Sequence, residues 1–170
     1  MRETEVESEA MVLDIAPLSE VKHNITYRLT HLVKTLTKTS SLVAKQSTGL
    51  NLVQWRLILV IGLNENLTAS EIANYMTYDP GMMSRNISGL IDSKLIEATQ
   101  DPTDRRARRL SLTPAGRVAF KATVAGAREH HKAVQCDFSE EQLDMFFVML
   151  DKISAASKAF GESYDRSNFA

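Results

Sequence analysis

The stretch "ATQDPTDRRARRLSLTPAGR", Ala98–Arg117, decides the fold. Asp101-Pro102 is good chemistry for a type I turn, because Pro presets φ and Asp bonds the backbone beyond it. Four arginines follow within five positions, Arg105, Arg106, Arg108 and Arg109. Leu110 and Leu112 then alternate with Arg109 and Ser111, the period of a strand with one buried face. Upstream, "LIEATQ" supplies the partner strand. Downstream, Thr113-Pro114 reads as an N-cap followed by Pro at the first helical position. The stretch is a basic hairpin that ends in a helix.

The segment before it predicts a pair of short helices. Thr68 and Glu71 in "LTASEIANYM" have capping-box spacing, in which each side chain satisfies the other residue's free N–H. Asp79-Pro80 starts a second helix, "PGMMSRNISGLIDSK". There Met83, Ile87 and Leu90 recur at i, i+4 and i+7 and face inward. A tight turn, "TYD", joins the two helices. With the hairpin they form a winged helix-turn-helix.

Long helices flank this centre. Ile25, Leu29, Leu32, Val33 and Leu36 predict a helix from Ser19 to about Ser47, broken by Gly49. "LVQWRLILVIGL" is apolar on most sides and reads as a buried helix. After Pro114 a helix is predicted to about Val134. Asp137 or Ser139 then precedes a last helix with a stripe of Leu143, Phe146, Phe147, Leu150 and Ile153, and a polar tail after Phe160. The fold class is mainly α with a small β-hairpin wing. The expected divisions are 1–17, an acidic tail; 18–50, a dimerisation helix; 51–113, the winged unit; 114–162, two further dimerisation helices; and 163–170, a polar tail.

Charge distribution points to a polyanionic partner. The 170-residue chain carries a net −1. Residues 1–20 hold Arg2 against Glu3, Glu5, Glu7, Glu9, Asp14 and Glu20, a balance of −5, so residues 21–170 carry +4. Asp104–Arg117, with five arginines and one aspartate, matches that whole excess. A helix of this kind fits the major groove, and its N-terminal half reads base edges. The outward positions are Pro80, Gly81, Met82, Ser84, Arg85 and Ser88, with Ser70 on the preceding helix. A basic ribbon beside such a helix can place arginine in the minor groove. Asp104, beside Arg105 and Arg106, can hold a guanidinium by a bidentate pair.

These residues resemble the MarR family of dimeric winged-helix transcriptional regulators. "TASEIANYM", "GLIDSKLIEA" and "DPTDRRARRLSLTPAGR" carry the resemblance, including the exit motif of Leu112, Thr113 and Gly116. It spans about Leu18 to Phe160. It implies that the first helix and the last two form a homodimer interface on a pseudo-palindromic double-stranded operator. It also implies a repressor of a catabolic or efflux operon, released by a small phenolic or aromatic carboxylate. The matching DNA contacts are Arg85, Asp104, Arg105 and Arg106. Three departures stand out: Lys94 where the family commonly has Gly, Ala98 where it often has Arg, and the apolar opening Pro80-Gly81-Met82.

For the effector, His23, Tyr27, Arg28 and His31 lie off the apolar stripe of the first helix, and Trp55 and Arg56 open the second. An arginine or histidine between aromatic walls suits an aromatic carboxylate. The same residues also read as dimer contacts or surface decoration.

Other chemistries find little support. No Gly-rich phosphate loop or nucleophile elbow appears, so an enzyme is not expected. His130, His131 and Cys136 do not have zinc-ligand spacing, and no metal or cofactor is expected. Cys136 is the single cysteine, which excludes a disulfide within one chain. "MRETEVESEAMVLD" has neither the basic nor the apolar region of a signal peptide, so the expected address is cytoplasmic. The alternatives that remain are a winged-helix protein-interaction module and a redox-sensing regulator using Cys136.

Overall fold

The computed structural model describes residues 23–64, 66–76, 78–104 and 107–168. In chain order the elements are α1 (Ile25–Thr48), α2 (Leu52–Leu63), β1 (Leu67–Thr68), α3 (Ala69–Tyr75), α4 (Pro80–Asp92), β2 (Ile96–Gln100), β3 (Arg108–Leu112), α5 (Pro114–Gln135) and α6 (Glu140–Asn168). They divide into two units, one ending at Ala127 and one starting at Arg128. Mainly helical with a small antiparallel sheet, the fold is the one the sequence predicts.

In the first unit, α2 is the hub. It packs on α1, α3, α4 and β3. Its apolar character all round is explained by that position: Trp55, Leu57, Ile58 and Ile61 are buried. Around them the core adds Ile72 from α3, Met83, Ile87 and Leu90 from α4, and Ile96, Leu110 and Leu112 from the sheet. Each fully buried aliphatic side chain contributes about 1.5–3 kcal/mol.

The helix starts are built locally. Asn24 caps α1 by accepting from the Tyr27 N–H at 3.1 Å. The structured helix therefore begins at Ile25, six residues later than the periodicity placed it. Asn51 and Gln54 form a capping box on α2, and Thr68 and Glu71 form one on α3. Those bonds from Thr68, backbone first, hold the Glu71 carboxyl below its ordinary pKa. Gly49 ends α1 in the left-handed region at φ 75°, where its N–H donates to the Lys45 carbonyl; this fits the break expected there.

The sheet has one strand more than the hairpin predicted. Its order is β1-β3-β2, all antiparallel. Leu67 pairs with Leu110 and Thr68 with Arg109. Two residues are too few to show alternation, so only their tertiary pairing identifies β1 as a strand. Within the hairpin, Ile96 faces Leu112 and Ala98 faces Leu110. Ala98 is half-buried against the core. The position where a cation was expected by resemblance is thus a packed one.

In the second unit, Ser139 caps α6 by accepting from the Gln142 N–H at 3.2 Å. The helix then runs to Asn168, past Phe160, where the sequence turned polar. Polar residues lengthen a helix without difficulty when no Pro or capping Gly stops it.

Candidate nucleic-acid interface

The central helix of the candidate site is α4. Asp79 caps it by accepting from the Met82 N–H at 2.8 Å, and Pro80 occupies its first turn. Met83, Ile87 and Leu90 face the core. Pro80, Gly81, Met82, Ser84, Arg85 and Ser88 are all exposed. The structure thus puts all six outward candidates of α4 on its solvent side. Ser70 is exposed near the start of α3. A Cβ built on Gly81 would lie 3.5 Å from Arg85 Nη1. The Arg85 guanidinium therefore lies back toward the N-terminal turn, as long helical side chains do.

Three attachments set the pose of α4. The Asn51 amide, at the start of α2, donates to Asn86 Oδ1 at 3.0 Å, while the Asn86 amide donates to the Met82 carbonyl at 2.8 Å. Ahead of the helix, Arg56 donates to the Tyr78 hydroxyl and its guanidinium carbon lies 5.8 Å from the Tyr78 ring centroid. Arg56, a candidate effector ligand by sequence, is committed to the turn that precedes α4.

The third attachment is at the helix end. The Lys94 N–H donates to the Ile91 carbonyl and the Leu95 N–H to the Leu90 carbonyl, both at 2.9 Å. This is the Schellman pattern, which needs a left-handed residue after the cap. Lys94 adopts it at φ 57°, with the strain expected of a residue other than glycine. The carbonyls beyond it then join the wing. The Thr113 hydroxyl donates to the Lys94 carbonyl at 2.7 Å, and the Thr113 N–H to the Leu95 carbonyl at 3.1 Å. The same hydroxyl accepts from the Gly116 N–H at 3.0 Å, so Thr113 also caps α5. Any Cβ on Gly116 would collide with the Leu95 carbonyl. One joint therefore ties the end of α4, the return strand of the wing and the start of α5.

At the far end of the wing the organising carboxylate is Asp101, which is 4% exposed. Its Oδ1 accepts from the Thr103 N–H and hydroxyl, each at 2.7 Å, and from the Asp104 N–H at 3.0 Å. Its Oδ2 pairs with Arg109 Nε at 2.6 Å. The Thr103 hydroxyl, the two backbone N–H groups and the Arg109 charge hold the carboxyl well below the usual carboxylate range, against its burial. Arg109 in turn donates to the Asn66 carbonyl at 2.8 Å, beside β1. The sequence showed Asp101 as a turn former only. Its second role is a contact with a residue eight positions on, for which Asp-Pro spacing carries no signal. Asp104 is exposed; Arg105 and Arg106 lie outside the described residues.

The candidate effector residues divide. The Tyr27 and His31 rings lie 4.8 Å apart on α1, and both are exposed, as are His23 and Arg28. Trp55 is buried in α2, and its indole N–H has no acceptor among the described residues. Cys136 is exposed, and its thiol donates to the Ala133 carbonyl at 3.3 Å. Among the described residues no three His, Cys, Asp or Glu side chains gather as a metal site. No described helix is long and apolar enough to cross a membrane.

Comparison with known proteins agrees with this geometry. The model of the MarR family matches residues 48–107, from the end of α1 to the wing. The HTH-type transcriptional regulator BilQ of Clostridium symbiosum (strain WAL-14163) is 25% identical over 67% of this chain and 79% of its own. Among solved structures, a MarR/EmrR family transcriptional regulator from Acinetobacter sp. ADP1 superposes with a TM-score of 0.72 at 24% identity, covering 82% of this chain and 98% of its own. MepR of S. aureus, solved as a DNA complex, superposes with a TM-score of 0.72 at 17% identity, covering 79% and 97%.

Proposed function

We propose that this MarR-family winged-helix chain is a homodimeric, sequence-specific DNA-binding repressor released by a small ligand. The observation that carries the reading is the exposed face of α4. Six residues including Arg85 stand outward on a helix whose cap, turn and end are each fastened to the core or the wing. A rigidly held helix N-terminus with an outward arginine matches the requirements of major-groove readout. The wing adds Arg105 and Arg106 for the adjacent backbone or minor groove, with Asp104 as their orienting carboxylate. MepR, a structural relative, was solved with DNA bound.

Self-association is supported by apolar surface. On α6, Met145, Phe146, Phe147, Val148 and Met149 are all more than 40% exposed, and on α1 so are Ile25, Leu32 and Val33. Each of these two helices, taken by itself, presents exposed large apolar side chains of the kind that mark an association face. A dimer places two copies of α4 on the two halves of a pseudo-palindrome. For the effector we retain a phenolic or aromatic carboxylate, with His23, Tyr27, Arg28 and His31 as the candidate ligands at the start of α1.

The test is fluorescence anisotropy on a duplex from the region upstream of the chain's own gene, against a scrambled duplex. Specific binding at least a hundredfold tighter than to the scrambled DNA is expected, with log K falling steeply with log salt. Equal affinity for both duplexes would sink the proposal. Thermal-shift screening with aromatic acids, followed by release of the duplex, tests the effector class.

A further inference from the structure

Met82 stands on the outer face of α4 with both of its backbone polar groups held by side chains. Its N–H donates to Asp79 Oδ1, and its carbonyl accepts from the Asn86 amide, both at 2.8 Å. Asn86 is itself held, since its Oδ1 accepts from the Asn51 amide at 3.0 Å. Asn51 belongs in turn to the capping box that starts α2. The backbone of Met82 is thus fastened on one side to the helix cap and on the other, through two amides, to α2. The side chain carried at this fixed point is apolar and 38% exposed.

The same hydrogen bonds decide which groups on this face are left to read bases. An adenine edge is read by a side-chain amide and a cytosine edge by a carboxylate. In the N-terminal half of α4 the amide is Asn86, whose NH2 and oxygen are both bonded within the chain. The carboxylate is Asp79, committed as the cap. Ser84 and Ser88 carry hydroxyls that both donate and accept, so they fit any base. Two discriminating side chains remain, Met82 and Arg85. Arg85 is exposed and has no ion-pair partner among the described residues. Gly81 determines where it lies. A Cβ there would be 3.1 Å from Asp79 Oδ1 and 3.5 Å from Arg85 Nη1. With no Cβ present, the guanidinium and the cap carboxylate border one open space over the first turn.

Residues three apart on a helix stand about 5–6 Å apart, and successive bases about 3.4 Å. The two side chains therefore address base pairs one or two steps apart. We propose that Met82 and Arg85 specify a thymine and a guanine at that separation in each half-site. Met82 covers the thymine methyl, the apolar group of the major-groove edge, and Arg85 pairs with guanine O6 and N7. This rests on the DNA-binding reading above and adds base identity to it. The apolar opening Pro80-Gly81-Met82 then has a use: Gly81 makes room for the guanidinium, and Met82 supplies the methyl contact.

The test uses the full chain and the tightest duplex it selects from a random pool about 20 base pairs long, the span of two half-sites. Deoxyuridine replaces each thymine in turn, removing only the methyl. 7-Deazaguanine replaces each guanine, removing only the N7 acceptor. At one thymine per half-site the loss in affinity should be about fourfold, the weight of one buried methyl. At a guanine within two base pairs of it the loss should be about tenfold. Met82→Ala should bind the thymine duplex as weakly as the wild type binds the uracil one, and should keep the guanine effect. Arg85→Ala should lose the guanine effect and keep the methyl effect. Both positions are exposed, and an unchanged Tm confirms that the variants fold. Indifference of the wild type to every thymine methyl overturns the proposal and leaves the DNA-binding reading standing. So does a methyl effect that survives Met82→Ala, or a guanine effect that survives Arg85→Ala. A chain that selects no duplex from the pool overturns both.

Discussion

The Arg109 Nε–H donates to Asp101 Oδ2 at 2.6 Å, joining the two strands of the wing at the mouth of its turn. The bond is short because both partners are charged. The Asp101 carboxylate spends its other oxygen on the turn itself, on the Thr103 and Asp104 groups. One side chain therefore shapes the turn at Thr103 and Asp104 and fastens it to β3.

Replacing Asp101 by Asn keeps the shape and removes the charge. Asp101→Asn should lower Tm more than Asp104→Asn, and should reduce duplex affinity by on the order of tenfold. Melting curves and anisotropy on both variants check this. Equal effects from the two substitutions would contradict the central role of Asp101.

The same group shapes the acid limb of stability. Its folded-state pKa is depressed, so the stability it contributes is fully present above the unfolded carboxylate value of about 4. That contribution declines as pH falls from about 5 toward the folded-state value, because the unfolded chain takes up the proton first. Urea denaturation between about pH 5 and pH 2 should show a shallower loss of stability in Asp101→Asn than in the wild type.

Lys94 sits at φ 57° in the Schellman turn after α4. A left-handed residue with a Cβ costs about 1–2 kcal/mol, and glycine returns about 0.5–1 kcal/mol of that as unfolded-chain entropy. Lys94→Gly should therefore stabilise the chain by about 0.5–1 kcal/mol, a rise of a few degrees in Tm. A lower Tm would show that the turn is not strained at this residue.

Gly116 presents the opposite case. Its Cα faces the Leu95 carbonyl with no space for a side chain, and the carbonyl is already the acceptor of the Thr113 N–H. Gly116→Ala should cost about 2–3 kcal/mol, in the upper range for overpacking. Ala115→Gly, one residue earlier and exposed, is the control and should cost under about 1 kcal/mol.

Two substitutions separate contact from support in DNA binding. Arg85→Ala should reduce discrimination between the specific and scrambled duplexes, since the side chain is exposed on the outer face of α4. Tyr78→Phe removes only the hydroxyl that accepts from Arg56. It should weaken the specific duplex about two- to tenfold by loosening the entry to α4, without changing the slope of affinity against salt. A changed slope would mean that Tyr78 or Arg56 meets phosphate directly.

Much of this was readable from local pattern. Thr68 with Glu71, Asp79 with Pro80, and Thr113 with Pro114 announce helix starts, because a cap acts within three residues of its own position. Met83, Ile87 and Leu90 identify the inner side of α4 by spacing, and so the outer side as well. The 3.6-residue period runs back past Asn24, whereas the helix α1 starts at Ile25, because the Asn24 cap outweighs the period. The two-residue β1 was invisible, because a strand that short exists only through its pairing with Leu110 and Arg109.

What the order of residues determined by itself is the set of elements, their caps and their inward faces, all consequences of interactions within one or two turns of chain. The assembly of those elements determined the rest. Asp101 meets Arg109, Arg56 meets Tyr78, and Asn51 meets Asn86 only after the helices and sheet have docked. Those contacts join residues 8 to 35 positions apart, and no local propensity encodes which distant partner a polar side chain will find. The same docking turned Ala98 toward the core and Arg56 toward Tyr78, giving structural roles to a position where the resemblance implies a cation and to one that reads as a candidate ligand residue.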